Sequence, residues 1–222
     1  MERIALGEYQ KISQKESGYF NLWNPLNVIR RLRMKYFTSD LHLGHLSILK
    51  HRDVSVKTVA EYDDWVLDRI YDIPKGSDLY VLGDIAFSQE GMAKLLAHKP
   101  KAVQLHLIHG NHDKSFVQRM ARTSKIPYHE YLMVKDLNHK FFLCHYPLKV
   151  WDCSHYNSIN LYGHIHKGTP DIIKDGRQLN VNCEFWDYKP ISSEQVIEKL
   201  QGIDNWDYLE VKAQRENRKI IL

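Results

Sequence analysis

Five short stretches of the chain carry side chains able to hold a cation. They are Asp40-Leu41-His42, Gly83-Asp84, Gly110-Asn111-His112-Asp113, Cys144-His145-Tyr146-Pro147 and Gly163-His164-Ile165-His166. Their candidate ligands are Asp40, His42, Asp84, Asn111, His145, His164 and His166, with His112 left over. An oxygen and nitrogen set without thiolate suits divalent manganese, iron, cobalt, nickel or zinc. Residues i and i+2 of a strand point to one side, so Asp40 and His42 reach one cation if extended geometry continues, as do His164 and His166. Seven ligands exceed the roughly four that a tetrahedral zinc takes, which points to two metals sharing a bridge. Two ions about 3.5–4 Å apart, with a metal-activated hydroxide, are suited to in-line displacement at phosphorus.

These stretches need elements to position them. Lys35 to Ser39, Leu79 to Leu82, Ala102 to Ile108, Lys140 to Cys144, Ile159 to Tyr162 and Leu179 to Cys183 read as short strands. The first five run into the motifs, and strand C-terminal ends are where open α/β sheets bind ligands. Glycines 83, 110 and 163 allow sharp turns and close backbone approach there. Thr58 to Ile73 predicts a helix, opened by the capping pattern Thr58-Val59-Ala60-Glu61 and ended by Pro74. Ser192 opens a second capped helix to about Gln201. The tail from Asn205 is charged and ambiguous. Residues 1–33 lack clean periodicity and read as an N-terminal extension, with the domain spanning 34–222; Met34 as the natural start is left open.

Composition narrows the class. Hydrophobic residues make 43% and charged residues 26%, ordinary globular usage that excludes disorder and collagen for most of the chain. No run of about 18 apolar residues exists, so no membrane span is expected. The N-terminus has no continuous apolar segment of the secretory type. Three cysteines, an odd and sparse set, fit reduced thiols and a cytoplasmic location. Of the net charge of +4, residues 1–33 hold six Lys/Arg against three Asp/Glu, so the rest is nearly neutral. Nucleic acid is therefore not indicated by charge as a partner. Histidine is unusually abundant, at 13 residues, which fits metal ligation and proton work.

The ordered set DLHLGH, LGD, HGNHD, CHYP and YGHIH resembles the calcineurin-like metallophosphoesterases, over roughly residues 34–190. It is similar above all to their small single-domain bacterial and phage members. The resemblance implies a four-layer αββα sandwich of two mixed β-sheets. It implies that Asp40, His42 and His166 hold one metal, that Asn111, His145 and His164 hold the other, and that Asp84 bridges them. By the same token His112 serves the leaving oxygen and Asp113 orients His112. Gly83-Asp84 runs into Ile85-Ala86-Phe87, not the Asp-Arg-Gly of the phosphoprotein phosphatases, so that subgroup's phosphate-binding arginine is missing there. Only 31 residues separate Asp113 from His145, little room for a helical lid or a capping domain.

Taken singly, Asp40, Asp84 and Asn111 could be turn or cap residues. His45 is balanced between binding substrate and starting a surface helix. The expectation is a binuclear-metal phosphohydrolase, a phosphodiesterase before a monoesterase, in which a hydroxide bridging two divalent metals, manganese first, attacks the phosphorus of a small-molecule or nucleotide ester. Two alternatives stay open: a nuclease, and a non-catalytic protein-binding scaffold.

Overall fold

The computed structural model describes residues 33–167 and 176–220. The extension expected over residues 1–33 lies, apart from Arg33, outside the described residues. In chain order the elements are β1 (Lys35–Thr38), α1 (Val59–Ile70), β2 (Asp78–Leu82), α2 (Gln89–His98), β3 (Gln104–Ile108), α3 (Ser115–Thr123), β4 (Tyr128–His129), β5 (Leu132–Asp136), β6 (His139–Leu143), β7 (Ile159–Tyr162), β8 (Gln178–Asn180), β9 (Ile191–Ser192), α4 (Ser193–Lys199) and α5 (Trp206–Ile220). Among the described residues, no helix is long and apolar enough to cross a membrane.

The strands form two mixed sheets, as the αββα expectation requires. The first has the order β4-β3-β2-β1-β9, parallel except for β9. The second has the order β5-β6-β7-β8, parallel except for β5. Alternation of side chains across each strand separates two cores. Leu79, Val81, Leu105 and Leu107 face the helices, against Val66, Leu67 and Ile70 of α1, Met92 and Leu95 of α2, and Val117 and Ala121 of α3. Phe37, Tyr80, Leu82 and Ile108 face the second sheet, against Phe141, Leu143, Ile159 and Leu161. Phe37 stacks on Tyr80 and on Phe141, each at 5.5 Å between centroids, so one buried ring touches both sheets. On the second sheet's side α5 is tied by Asp207 to Ser154, and Asn205 just before it donates to the Ser158 carbonyl at 2.8 Å.

Helix α1 keeps the expected cap, Thr58 Oγ1 accepting from the Glu61 N–H at 3.2 Å. It ends at Ile70 rather than Ile73, because the residue before Pro74 is disfavoured in helical geometry. Tyr71 instead donates its hydroxyl to the Leu95 carbonyl at 3.0 Å, tying α1 to α2. Helices α2 and α3 lie beyond the sequence expectations. In α2, Gly91 is placed for contact: a Cβ there would lie 2.6 Å from the Leu43 carbonyl, so the helix rests on the loop that leaves β1. A glycine inside a helix costs about 1 kcal/mol against alanine, and this close approach is what it permits.

Removing the ring that joins the sheets, Phe37→Ala, is expected to destabilise the fold by about 3–5 kcal/mol. Urea unfolding measures this; a loss below about 1 kcal/mol would show that the sheets do not depend on this ring.

Candidate metal centre

The candidate side chains leave the C-terminal ends of β1, β2, β3, β6 and β7, where the two sheets meet. Asp40 and His42 follow β1, Asp84 follows β2, and Asn111, His112 and Asp113 follow β3. His145 follows β6, and His164 and His166 follow β7. The expectation of continued extended backbone is corrected here. Asp40, His42, Asp84 and His164 have φ of 58°, 53°, 51° and 68°. Left-handed backbone at non-glycine residues costs roughly 1–3 kcal/mol each and persists where surroundings enforce it. Here the enforcement is hydrogen bonding between loops. Asp40 N–H donates to the Gly83 carbonyl at 3.0 Å, and His42 N–H to the Asp84 carbonyl at 3.0 Å. Leu41 between them is fully buried, its carbonyl accepting from the Tyr62 hydroxyl at 3.2 Å.

Two groups of three donors each lie within 4.8 Å of one another: Asp40, His42 and His166, and Asp40, Asp84 and His145. In the first, His166 Nε2 is 3.6 Å and His42 Nε2 3.9 Å from Asp40 Oδ1. Donors sharing a cation through bonds of about 2.0–2.2 Å lie roughly 3–3.5 Å apart, close to these spacings. Asn111 Oδ1 lies 2.9 Å from His145 Nε2 and 3.0 Å from His164 Nδ1, which brings the remaining two candidates alongside the second group. Asp84 stands between. Its Oδ2 is 3.6 Å from His42 Nε2, and its Oδ1 is 3.5 Å from His145 Nε2.

The donor set fits a divalent cation on two further grounds. Both ring nitrogens of His42 are buried without a hydrogen-bond partner among the described residues, an expense that a ligand-metal bond removes. Asp40 and Asp84 are almost wholly buried, and the ion-pair partners of their carboxylates among the described residues are histidines alone. Burial pushes the His42 and His164 imidazoles down, toward the neutral form that binds metal. Burial pushes Asp40 up, but the His42 contact, the neighbouring imidazoles and the Ser39 hydroxyl, which donates at 2.6 Å, outweigh it and hold the carboxyl below its ordinary value.

Hydrogen bonds also aim the rings. His145 Nδ1 lies 2.8 Å from the Leu82 carbonyl, so it carries the proton and leaves the Nε2 lone pair facing Asp84 and Asn111. His166 Nδ1 lies 2.5 Å from Glu184 Oε1, which leaves its Nε2 facing Asp40 and raises its pKa. Glycines 110 and 163 act through space. A Cβ on Gly110 would lie 2.5 Å from Asp84 Oδ1, and one on Gly163 2.4 Å from Asp40 Oδ2. Gly83 alone of the three has the positive φ, +83°, of a sharp turn.

Three candidates sit differently from the ligand set. His112 donates its backbone N–H to Asp84 Oδ1 at 3.0 Å, while its half-exposed ring stands at the rim, Nε2 4.0 Å from Asp84 Oδ2. The Asp113 carboxylate accepts from the Gly110 and Ile85 N–H groups, each at 2.8 Å. Its oxygens thus join the loops after β2 and β3, a different task from the expected orientation of His112, and burial pushes its pKa up to about 6. His45 stacks on Phe87 at 4.1 Å and lines a cavity of about 290 Å³ with His42, Arg52, His166 and Glu184. Phe87, which also packs on His42 and His112, was beyond the sequence reading, as were Arg52 and Glu184. None of the three lies in a ligand motif, and their roles arise only from contacts between distant segments.

No family model matches the chain, and no curated protein matches it. Among solved structures, a protein of unknown function from Aquifex aeolicus superposes with a TM-score of 0.57 at 24% identity, covering 76% of this chain and 99% of that one; the likeness is one of fold. A structure described as a novel archaeal phosphodiesterase superposes with a TM-score of 0.42 at 15% identity, covering 67% of this chain and 82% of that one.

Proposed function

We propose that this chain is a calcineurin-like metallophosphoesterase that hydrolyses phosphodiesters with two divalent metals, manganese foremost. The observation that carries the reading is the placement of Asp84, whose two oxygens face His42 at 3.6 Å and His145 at 3.5 Å. One carboxylate shared between two imidazole groups is what a bridging ligand requires. Asp40, His42 and His166 would hold one ion, Asn111, His145 and His164 the other, and Asp84 both. When bound, such ions supply Lewis-acid stabilisation of charge on the phosphoryl oxygens and activation of water.

The remaining residues supply position and a proton. His112 is held by its own N–H on Asp84, so its ring stands beside the centre at a side-chain exposure of 51%, open to solvent and to a departing oxygen. It is assigned the protonation of the leaving group. Asp113 keeps that loop in register through Gly110 and Ile85. His45, stacked on Phe87 beside the site, is assigned to substrate contact. All of these residues lie within 34–222, which is proposed as the domain that carries the chemistry.

Chelator treatment should abolish hydrolysis of phosphodiesters, and manganese, cobalt or nickel should restore it better than magnesium. Asp84→Ala should fold, lose metal and lose more than tenfold in kcat, a barrier rise above about 1.4 kcal/mol. Full turnover by protein shown to be free of metal would end the two-metal reading, and a small loss in Asp84→Ala would end the bridging role.

For His112→Ala, the expected loss in kcat grows with leaving-group pKa: small on nitrophenyl esters, about 10²–10⁴-fold on alkyl or nucleoside esters, with metal content unchanged. Kinetics across a graded series of leaving groups measures it. Equal losses across the series would assign His112 to phosphate positioning instead.

A chain starting at Met34 should retain metal-dependent hydrolysis within a few-fold of the full chain. Loss of activity in a folded, metal-loaded truncation would place part of the substrate site in residues 1–33.

A further inference from the structure

Arg52 and Glu184 form a buried ion pair beside the candidate centre, each 6% exposed. They come from opposite ends of the domain, Arg52 from the segment after β1 and Glu184 from the turn after β8. Each also contacts a different candidate ligand. Arg52 Nη2 donates to the Asp40 carbonyl at 2.9 Å. Glu184 Oε1 takes His166 Nδ1 at 2.5 Å, and the Glu184 N–H is itself held by Asn182 Oδ1 at 3.0 Å. A chain of contacts thus runs from Asp40 through Arg52 and Glu184 to His166, whose Nε2 returns to Asp40 Oδ1 at 3.6 Å.

The proton on His166 has two competing homes. Asn182 Nδ2 lies 3.2 Å from His166 Nδ1 and could donate to it if that nitrogen were bare. Asp40, anionic and facing Nε2, would welcome the proton on the metal side. Both neighbours therefore favour the tautomer with its proton on Nε2, the one whose lone pair points away from the site. A carboxylate on Nδ1 is the neighbour that opposes them, and charge-assisted hydrogen bonds are about twice as strong as neutral ones. Arg52, paired with that carboxylate, holds it in place.

We infer that Glu184, held by Arg52, is the positioning residue that sets the His166 tautomer and so prepares the Asp40–His42–His166 group for its cation. The inference rests on the proposed function for the identity of the cation. Its tautomer arm does not, because that arm is read in metal-free protein. A buried ion pair exchanged as a whole for apolar groups of similar size is often neutral for stability, whereas removing one partner strands a charge. The informative variant is therefore the double substitution Arg52→Met/Glu184→Leu, beside the conservative Glu184→Gln, whose amide oxygen can still accept from Nδ1.

The experiment uses the full-length, metal-free protein, at alkaline pH where imidazoles are neutral. Nitrogen-15 resonances of the imidazole rings report the tautomer, His166 being assigned by its loss in His166→Asn. Manganese binding is then measured by calorimetry. Wild type should carry the proton on Nδ1, Glu184→Gln should keep it there, and the double variant should move it to Nε2. Manganese affinity of the weaker-bound equivalent should fall about 10–100-fold in the double variant and less in Glu184→Gln. A proton on Nε2 in wild type overturns the inference without any variant, as does an unchanged tautomer in the double variant. A switched tautomer with unchanged manganese affinity overturns the preparation of the metal group. If wild type binds no manganese yet shows the Nδ1 proton and its switch, control of the tautomer stands and the two-metal reading falls.

Discussion

The loops that leave β1 and β2 are stitched together beyond the ends of the strands, and the candidate centre hangs from that seam. Asp40 N–H reaches the Gly83 carbonyl, His42 N–H the Asp84 carbonyl, Leu43 N–H the Ile85 carbonyl, and Phe87 N–H returns to Leu43. Parallel pairing continues while single residues turn left-handed, so the carboxylates and imidazole come round to one side without breaking the hydrogen-bond ladder. Leu41 and Leu43, both fully buried, pin the seam into the helix-side core. The strain of the positive-φ residues Asp40, His42 and Asp84 is carried by this seam and by the packing beneath it.

Electrostatics makes the arrangement purposeful. Two carboxylates, Asp40 and Asp84, and two imidazoles, His42 and His145, are withdrawn from water at one place, with Arg52 beside them paired to Glu184. Burying anionic charge without a compensating cation is unfavourable, and proteins keep such clusters chiefly where an ion or a reaction uses them. Gly110 and Gly163 show the same commitment in steric form. Each gives up a side chain so that a neighbouring strand end can press against an aspartate. The outer ring of contacts then decides direction: Leu82 aims His145, Glu184 aims His166, and Asp113 holds the loop that presents His112.

Much of this was legible along the chain. The candidate donor types, their order, and their place after strands could be read because each motif is local: a short apolar run followed within a few residues by glycine, aspartate or histidine. The caps at Thr58 and Ser192 were legible for the same reason, since a capping side chain and its N–H lie three residues apart. Helices α2 and α3 stood outside the sequence expectations although their signals are local as well: Ser88 caps α2 by accepting from the Gly91 N–H, and Phe116, Val117, Met120 and Ala121 recur at helical spacing along α3. The expected extended geometry at Asp40 and His42 failed because the hydrogen bonds that bend it come from the β2 loop, far along the sequence.

Residue types and local spacing alone already give the chemistry on offer: an oxygen and nitrogen donor set without thiolate, glycines where strand ends must crowd, and strands alternating with helices. Those properties depend on residue type and near neighbours. Which donors meet is settled by long-range packing. His164 N–H binds the Asp40 carboxylate across 124 residues, and Asp84 divides its two oxygens between His42 and His145. Arg52 and Glu184 carry no signal in their own segments, yet packing of one sheet on the other makes them the link between Asp40 and His166. The physical reason is that a contact between distant segments is a property of how two sheets close on each other, which no local spacing encodes.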